Sequence, residues 1–289
     1  MRARNMIYSK TIDLMDPVRL PVIDLLYRLA DDGLIIGHRN SEWTGLGPAM
    51  EEDIAFSNMA QDKMGHALAM YNLLHEMGEP EPDVLVYQRR EEEFRCCSLV
   101  VLECFDESAR TADSPLSNNP TRDSLLAHGD WAIALVRQFF FSAGDEVRFA
   151  ALAESTFAPL AALARKFRGE IKYHTMHDEA MLQRLGRGTT KSGQRIQTAV
   201  DALWPHALGM FEPTNHDKVL VQSGICPLES ELCDAWRESV EPLLRKSGID
   251  VPAKANPIYG GRSGKHSPEL TALLDDLQKV ARLDPGAKW

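Results

Sequence analysis

Two histidines stand where a metal ligand could stand: His66 in "QDKMGHA" and His174 in "GEIKYHT". Carboxylate-bridged di-iron helices carry a glutamate three residues before such a histidine. Positions i and i+3 share a helix face, so both donors then reach one metal pair. Here the residue three before His66 is Lys63, and the residue three before His174 is Ile171. A protonated lysine cannot ligate a metal, and isoleucine has nothing to donate. The spacing of a metal site is present, with its chemistry altered.

The neighbouring stripes extend the pattern. Val22, Leu25, Leu29, Asp32 and Ile36 recur at helical steps, which puts Asp32 on an apolar face. Phe56, Met59, Lys63, His66 and Met70 do the same, as do Phe139, Ser142 and Phe149, and Phe167, Ile171, His174 and Met181. Six positions therefore face one interior: Asp32, Lys63, His66, Ser142, Ile171 and His174. A complete site needs a carboxylate from each of four helices besides its histidines. This set offers Asp32 alone, too little negative charge to hold two divalent ions in a low-dielectric core. The sequence therefore predicts no metal at these positions. It predicts instead a buried ion pair between Lys63 and Asp32, and greater destabilisation by Lys63→Ala than by a surface lysine change.

Other readings of the same residues stand beside this one. An inward histidine is ordinarily a hydrogen-bonded core residue. Asp145, Glu146 and Glu170 lie close enough in sequence to make a shifted metal site with His66 and His174, which would give a metal-binding oxidase in its own right. His174 and Asp178 are spaced for a simple i, i+4 contact. The charged "QRREEEFR" reads as a solvated face. No glycine-rich phosphate loop, serine elbow or Cys-His pairing is present.

The elements that must position these residues are helical. Alanine, leucine, methionine, glutamate and arginine dominate, and alternating β-branched runs are nearly absent, so the chain reads as all-α. Helices are expected from about Pro21 to Arg39, Glu51 to Met77, Ser124 to Glu154 and Pro159 to Leu185. These four make a bundle. A shorter helix over about Gln194 to Leu208, interrupted by Pro205, and another over Ser230 to Lys246 follow. "CCSLVVLECF" looks helical and "TADSPLSNNPTRD" is a loop. The proline- and glycine-rich stretch 252–266 reads as an extended arm, with Asn256 to His266 and the last helix placed to wrap a partner. That helix starts at "SPEL" and runs to about Leu283. Residues 1–289 read as one domain.

Composition narrows the function. A net charge of −10, from 32 basic and 42 acidic side chains, argues against nucleic acid or an anionic membrane as partner. No run approaches the roughly 18 apolar residues of a membrane span. The N-terminus lacks the apolar core of a signal peptide. The five cysteines show no C-x-x-C spacing and fit a reduced, cytoplasmic setting.

Several stretches carry a resemblance: "RNSEWTGLGP", "NMAQDKMGHA", "VRQFFF", "IKYHTMHDEAMLQRLGRGTTKSGQRIQTAVDALW" and the tail "GGRSGKHSPELTALLDDLQKVARLDPGAKW". Together they span nearly the whole chain, which resembles the family of C subunits of the bacterial phenylacetyl-CoA epoxidase, the ring 1,2-phenylacetyl-CoA monooxygenase. The resemblance implies a ferritin-like four-helix bundle with additional C-terminal helices, paired with a homologous catalytic A subunit. It places iron in that A subunit, and NADPH, flavin and an iron–sulfur centre in a partner reductase. A small B subunit belongs to the same complex, and this chain carries no cofactor of its own. The resemblance implies a structural, non-catalytic role, with Asp32, Lys63, His66, Ser142, Ile171 and His174 as a vestigial di-iron site. Self-association and direct binding of the CoA thioester remain rival roles.

Overall fold

Asp31-Asp32-Gly33 opens a G-x-x-x-G spacing that sets a close helix contact. A Cβ on Gly33 would lie 3.2 Å from the Lys63 carbonyl, and one on Gly37 would lie 3.0 Å from Met64 Cγ. The two glycines therefore let helix α1 (Arg19–Ser41) lie close against α2 (Met50–Glu76). The computed structural model describes residues 17–104 and 129–284. Within them α1 and α2 form one antiparallel pair, and α5 (Trp131–Leu152) and α6 (Ala158–Gly186) form the other. The expected "TADSPLSNNPTRD" loop and the terminal "PGAKW" lie outside the described residues.

Local chemistry explains the ends. The Asp130 carboxylate accepts from the backbone N–H groups of Ala132 and Ile133, at 2.8 and 3.4 Å, and so caps α5. That cap starts the helix at Trp131; the expected start near Ser124 lies outside the described residues. Glu51, Glu52 and Asp53 fill the first turn of α2 and complement its positive end. Pro159 supplies the preset φ that suits the first turn of α6.

The shorter elements distribute unevenly. They are α3 (Pro82–Tyr87), α4 (Ser98–Val101), α7 (Thr190–Leu208), α8 (Asp217–Gln222), α9 (Glu229–Lys246) and α10 (Pro268–Leu283). Helix α7 packs on α5, as does α9; α4 and α8 pack on α1; α10 lies over α3. As a result α1 and α5 are buried almost all round, while α2 and α6 each keep an open side. A large apolar core runs through the molecule, centred on Phe139, Phe140, Trp204 and Trp236. The Trp204 and Trp236 rings lie 5.2 Å apart, and Trp236 Nε1 donates to the Phe140 carbonyl. Among the described residues there is no β-strand, so the all-α expectation holds.

Four expectations need correction. Pro205 does not interrupt α7, because the carbonyl it leaves without a donor, that of Asp201, lies on an exposed residue where water can serve. Among the described residues of "CCSLVVLECF", which end at Cys104, the helix covers Ser98–Val101; the preceding extended backbone lets the Cys97 N–H leave the helix pattern and bind Asp32. "QRREEEFR" is not all solvated: Arg89 is buried against Asp31, whereas Arg90 and Glu92 are exposed. The arm at 252–266 is laid against this chain itself. A Cβ on Gly261 would lie 2.1 Å from the Cys96 carbonyl, so only glycine fits there, and Arg262 is buried. Deleting 252–289 would strip Leu270, Leu273 and Leu274 from the core as well.

Candidate functional site

The six inward positions do converge between α1, α2, α5 and α6, and all six are buried. Their pairings differ from expectation. Lys63 Nζ donates to Asp145 Oδ2 at 2.5 Å and sits 5.2 Å from the centre of the Phe141 ring. Its partner is Asp145 on α5, not Asp32 on α1. Asp32 is already claimed: Arg262 Nη2 donates to Oδ2 and the Cys97 N–H to Oδ1, both at 2.7 Å. A guanidinium brought in by the arm outcompetes the ammonium because it also bonds the Arg95 and Met210 carbonyls, at 2.7 and 3.1 Å. Asp145 lies three residues after Ser142, so its place on that inward face was readable as helix spacing.

Each histidine is tied outward. His66 Nε2 lies 2.7 Å from Glu170 Oε2 and His174 Nε2 lies 2.9 Å from Asp62 Oδ2. An ionised carboxylate only accepts, so Nε2 carries the proton in each ring and Nδ1 keeps a lone pair. Both Nδ1 atoms are buried and lack a hydrogen-bond partner among the described residues. Burial, reinforced by the Lys63 charge, pushes His66 down to about 3 and His174 to about 2, so both rings are neutral near pH 7. His66 also stacks on Phe167, with ring centres 4.0 Å apart.

Ser142 and Ile171 fill the two remaining inward positions in different ways. Ser142 Oγ accepts from Gln138 Nε2 at 2.8 Å, and Gln138 Oε1 accepts from Asn40 Nδ2 at 2.6 Å. A chain of neutral hydrogen bonds thus crosses from α1 to α5. Ile171 joins the apolar core. Beyond Ser142 lies Asp178, wholly buried, whose two oxygens face Ser142 and Gln138 without strict hydrogen-bond geometry. Burial raises its pKa well above the carboxylate range, against the weaker pull of Ser142 and Lys63. Burial thus favours the protonated form of Asp178 in the middle of the bundle. The i, i+4 spacing placed it beside His174, and its step between His174 and Met181 puts it on the same inward stripe.

This donor set does not fit a di-iron centre. Asp145 is held by Lys63, Asp32 by Arg262, and Asp178 resists ionisation. Among the described residues no three His, Cys, Asp or Glu side chains converge as a metal would require. In the shifted arrangement Glu170 already faces His66 Nε2 and is half exposed, which leaves the two bare Nδ1 atoms as the remaining donors.

With that geometry in view, the chain matches the family described as phenylacetic acid catabolic protein over residues 7–289. The chain belongs to that family. It is also similar to the C subunit of the 1,2-phenylacetyl-CoA epoxidase of Escherichia coli (strain K12). The two are 30% identical over 263 residues, covering 91% of this chain and 96% of that protein. The helical composition of this phenylacetic acid catabolic family member agrees with the ferritin-like bundle expected from sequence. No helix among the described residues is long and apolar enough to cross a membrane.

Proposed function

We propose that this chain is a non-catalytic, structural subunit of a multicomponent di-iron monooxygenase that epoxidises phenylacetyl-CoA in aerobic phenylacetate degradation. It supports a homologous catalytic A subunit, which holds the iron. The family membership and the similarity to an epoxidase C subunit support the pathway and the complex. One observation carries the non-catalytic part: Lys63 is 1% exposed and ion-paired with Asp145 in the layer where metal-bridging carboxylates would lie. An ammonium there supplies the positive charge that a metal would otherwise bring. The deciding experiment is co-expression with the catalytic subunit, followed by mass and metal measurement of each chain. A stoichiometric complex with iron only in the catalytic chain is the expected result.

A second reading is kept by the two bare Nδ1 lone pairs of His66 and His174. Under it the chain binds a transition metal through these atoms and acts as an oxidase. Near-stoichiometric iron or manganese in the purified chain, lost in His66→Ala, would establish that reading and overturn the first.

A further inference from the structure

Most of the added helices among the described residues pack on α1 and α5, and the side of α2 and α6 that they leave open has an unusual composition. The solvent-facing positions of α2 between its ends are Ile54, Asn58, Gln61, Gly65, Leu68 and Asn72, all exposed. None of the six is charged, although a solvated helix face normally alternates Lys, Arg, Glu and Asp. Alongside, the open face of α6 presents Gly169, Tyr173, Met176 and Ala180. Ile54, Leu68, Tyr173 and Met176 are each more than half exposed. The two helices run side by side, tied by His66–Glu170, His174–Asp62 and His177–Glu52.

Size and charge say what would cover this face. Helices of 27 and 29 residues are each about 40 Å long at 1.5 Å per residue, and two at about 10 Å spacing present roughly 800 Å², one partner's share of a standard interface. The edge of α6 next to α5 is basic. "RKFRGEIK" supplies Arg165, Arg168 and Lys172 to it, on a chain whose net charge is −10, while Lys166 and Glu170 lie on the side toward His66. Arg165, Arg168 and Lys172 line an open groove of about 400 Å³ together with Glu146 and Phe149. Arg168 and Lys172 have no ion-pair partner among the described residues. A two-fold contact with a second copy would bring this basic edge onto itself or onto the uncharged face of α2, with no charge gained. We infer that the α2/α6 face is the docking surface for a different helical protein chain, one that lays an uncharged helix face on Leu68 and Met176 and acidic side chains in the Arg168–Lys172 groove. This rests on the subunit reading above and names the face through which it operates.

The test uses the full chain and the homologous catalytic subunit, with binding measured at low and high salt and the mass of each species recorded. Leu68→Glu with Met176→Glu puts charge at the centre of the face and is expected to weaken binding about 100-fold or more. Both positions are exposed, so thermal unfolding of the free chain should not move. Arg168→Glu with Lys172→Glu should weaken binding about 10-fold and remove most of its salt dependence. Val280→Glu, on the open side of α10, should bind as wild type. The inference is overturned if wild type binds and the Leu68/Met176 variant binds equally well. It is also overturned if the free chain is a dimer that the same variant breaks, since the face would then belong to a second copy. If wild type forms no complex at all, the subunit reading itself falls, which is a different result.

Discussion

Two buried charge systems meet in this bundle, and they are built from opposite materials. Around Asp31 and Asp32 the partners arrive from remote segments: Arg89 and the Arg95 N–H on Asp31, Arg262 and the Cys97 N–H on Asp32, with only the neutral Tyr71 hydroxyl coming from a bundle helix. Around Lys63, His66 and His174 the partners come from the bundle helices themselves: Asp145, Glu170 and Asp62. The first system ties the later segments of the chain to α1. The second ties α2 to α5 and α6. The acidic pair therefore fixes how the additions dock, and the lysine–histidine layer fixes how the bundle closes.

The largest effect should come from breaking the first system. Arg262→Ala leaves the Asp32 carboxylate buried without its cation, orphans the Arg95 carbonyl and leaves the Met210 carbonyl only a 3.4 Å bond from Arg148. Removing one partner of such a pair costs about 3–5 kcal/mol. Arg262→Lys should recover little, because an ammonium cannot span three acceptors in one plane. Urea unfolding at neutral pH checks both. A loss under about 1 kcal/mol in Arg262→Ala would mean that the arm is not held by this contact.

Lys63→Ala should cost less, about 2–3 kcal/mol, since the Asp145 carboxyl it abandons keeps 12% exposure and can take up a proton. Burial already holds that carboxyl above its ordinary range despite the lysine. A double-mutant cycle sharpens the comparison. Lys63 and Asp145 should couple by about 1–3 kcal/mol, whereas Lys63 and Asp32 should be close to additive. Coupling of Lys63 to Asp32 instead would restore the pairing expected from sequence and contradict the geometry.

What the sequence could and could not show follows the same division. Helix type, the four bundle helices and the inward facing of Lys63, His66, Ser142 and His174 are local facts, set by 3.6-residue periodicity, and they were legible. The ion-pair partners were not, because Asp32 had two possible cations and the choice depended on where Arg262 arrives, 230 positions later. Arg89 was hidden inside a run whose other charges are solvated, as its neighbours Arg90 and Glu92 are. The glycines of the arm read as an unpacked segment, when they mark a backbone pressed against Cys96. Polar periodicity places a residue on a face; it does not say which of several distant charges will be there to meet it.

The smallest effects, and the most diagnostic, are the opposite pH responses of His174 and Asp178. His174 titrates near 2 when folded and near 6.5 when unfolded, so below about pH 6.5 the unfolded chain binds a proton that the native ring refuses. Its contribution to stability is present above that pH and lost as pH falls, at about 1.4 kcal/mol per unit. Asp178 runs the other way. Its folded pKa is raised by burial, so above about pH 3.9 the unfolded chain releases a proton that the fold retains. Its contribution is present at low pH and lost as pH rises toward the folded value. His174→Gln should therefore flatten the acid loss of stability between pH 6 and 5, by about 1.4 kcal/mol per unit. Asp178→Asn should steepen that loss and raise stability at pH 7. Urea unfolding at pH 7, 6 and 5 separates them by sign, which survives even where each variant carries a packing cost that does not depend on pH. Parallel profiles for wild type and both variants would mean that neither group has the buried environment the geometry gives it. Opposite slopes would show that burial in the layer between α2, α5 and α6 opposes charge on both groups.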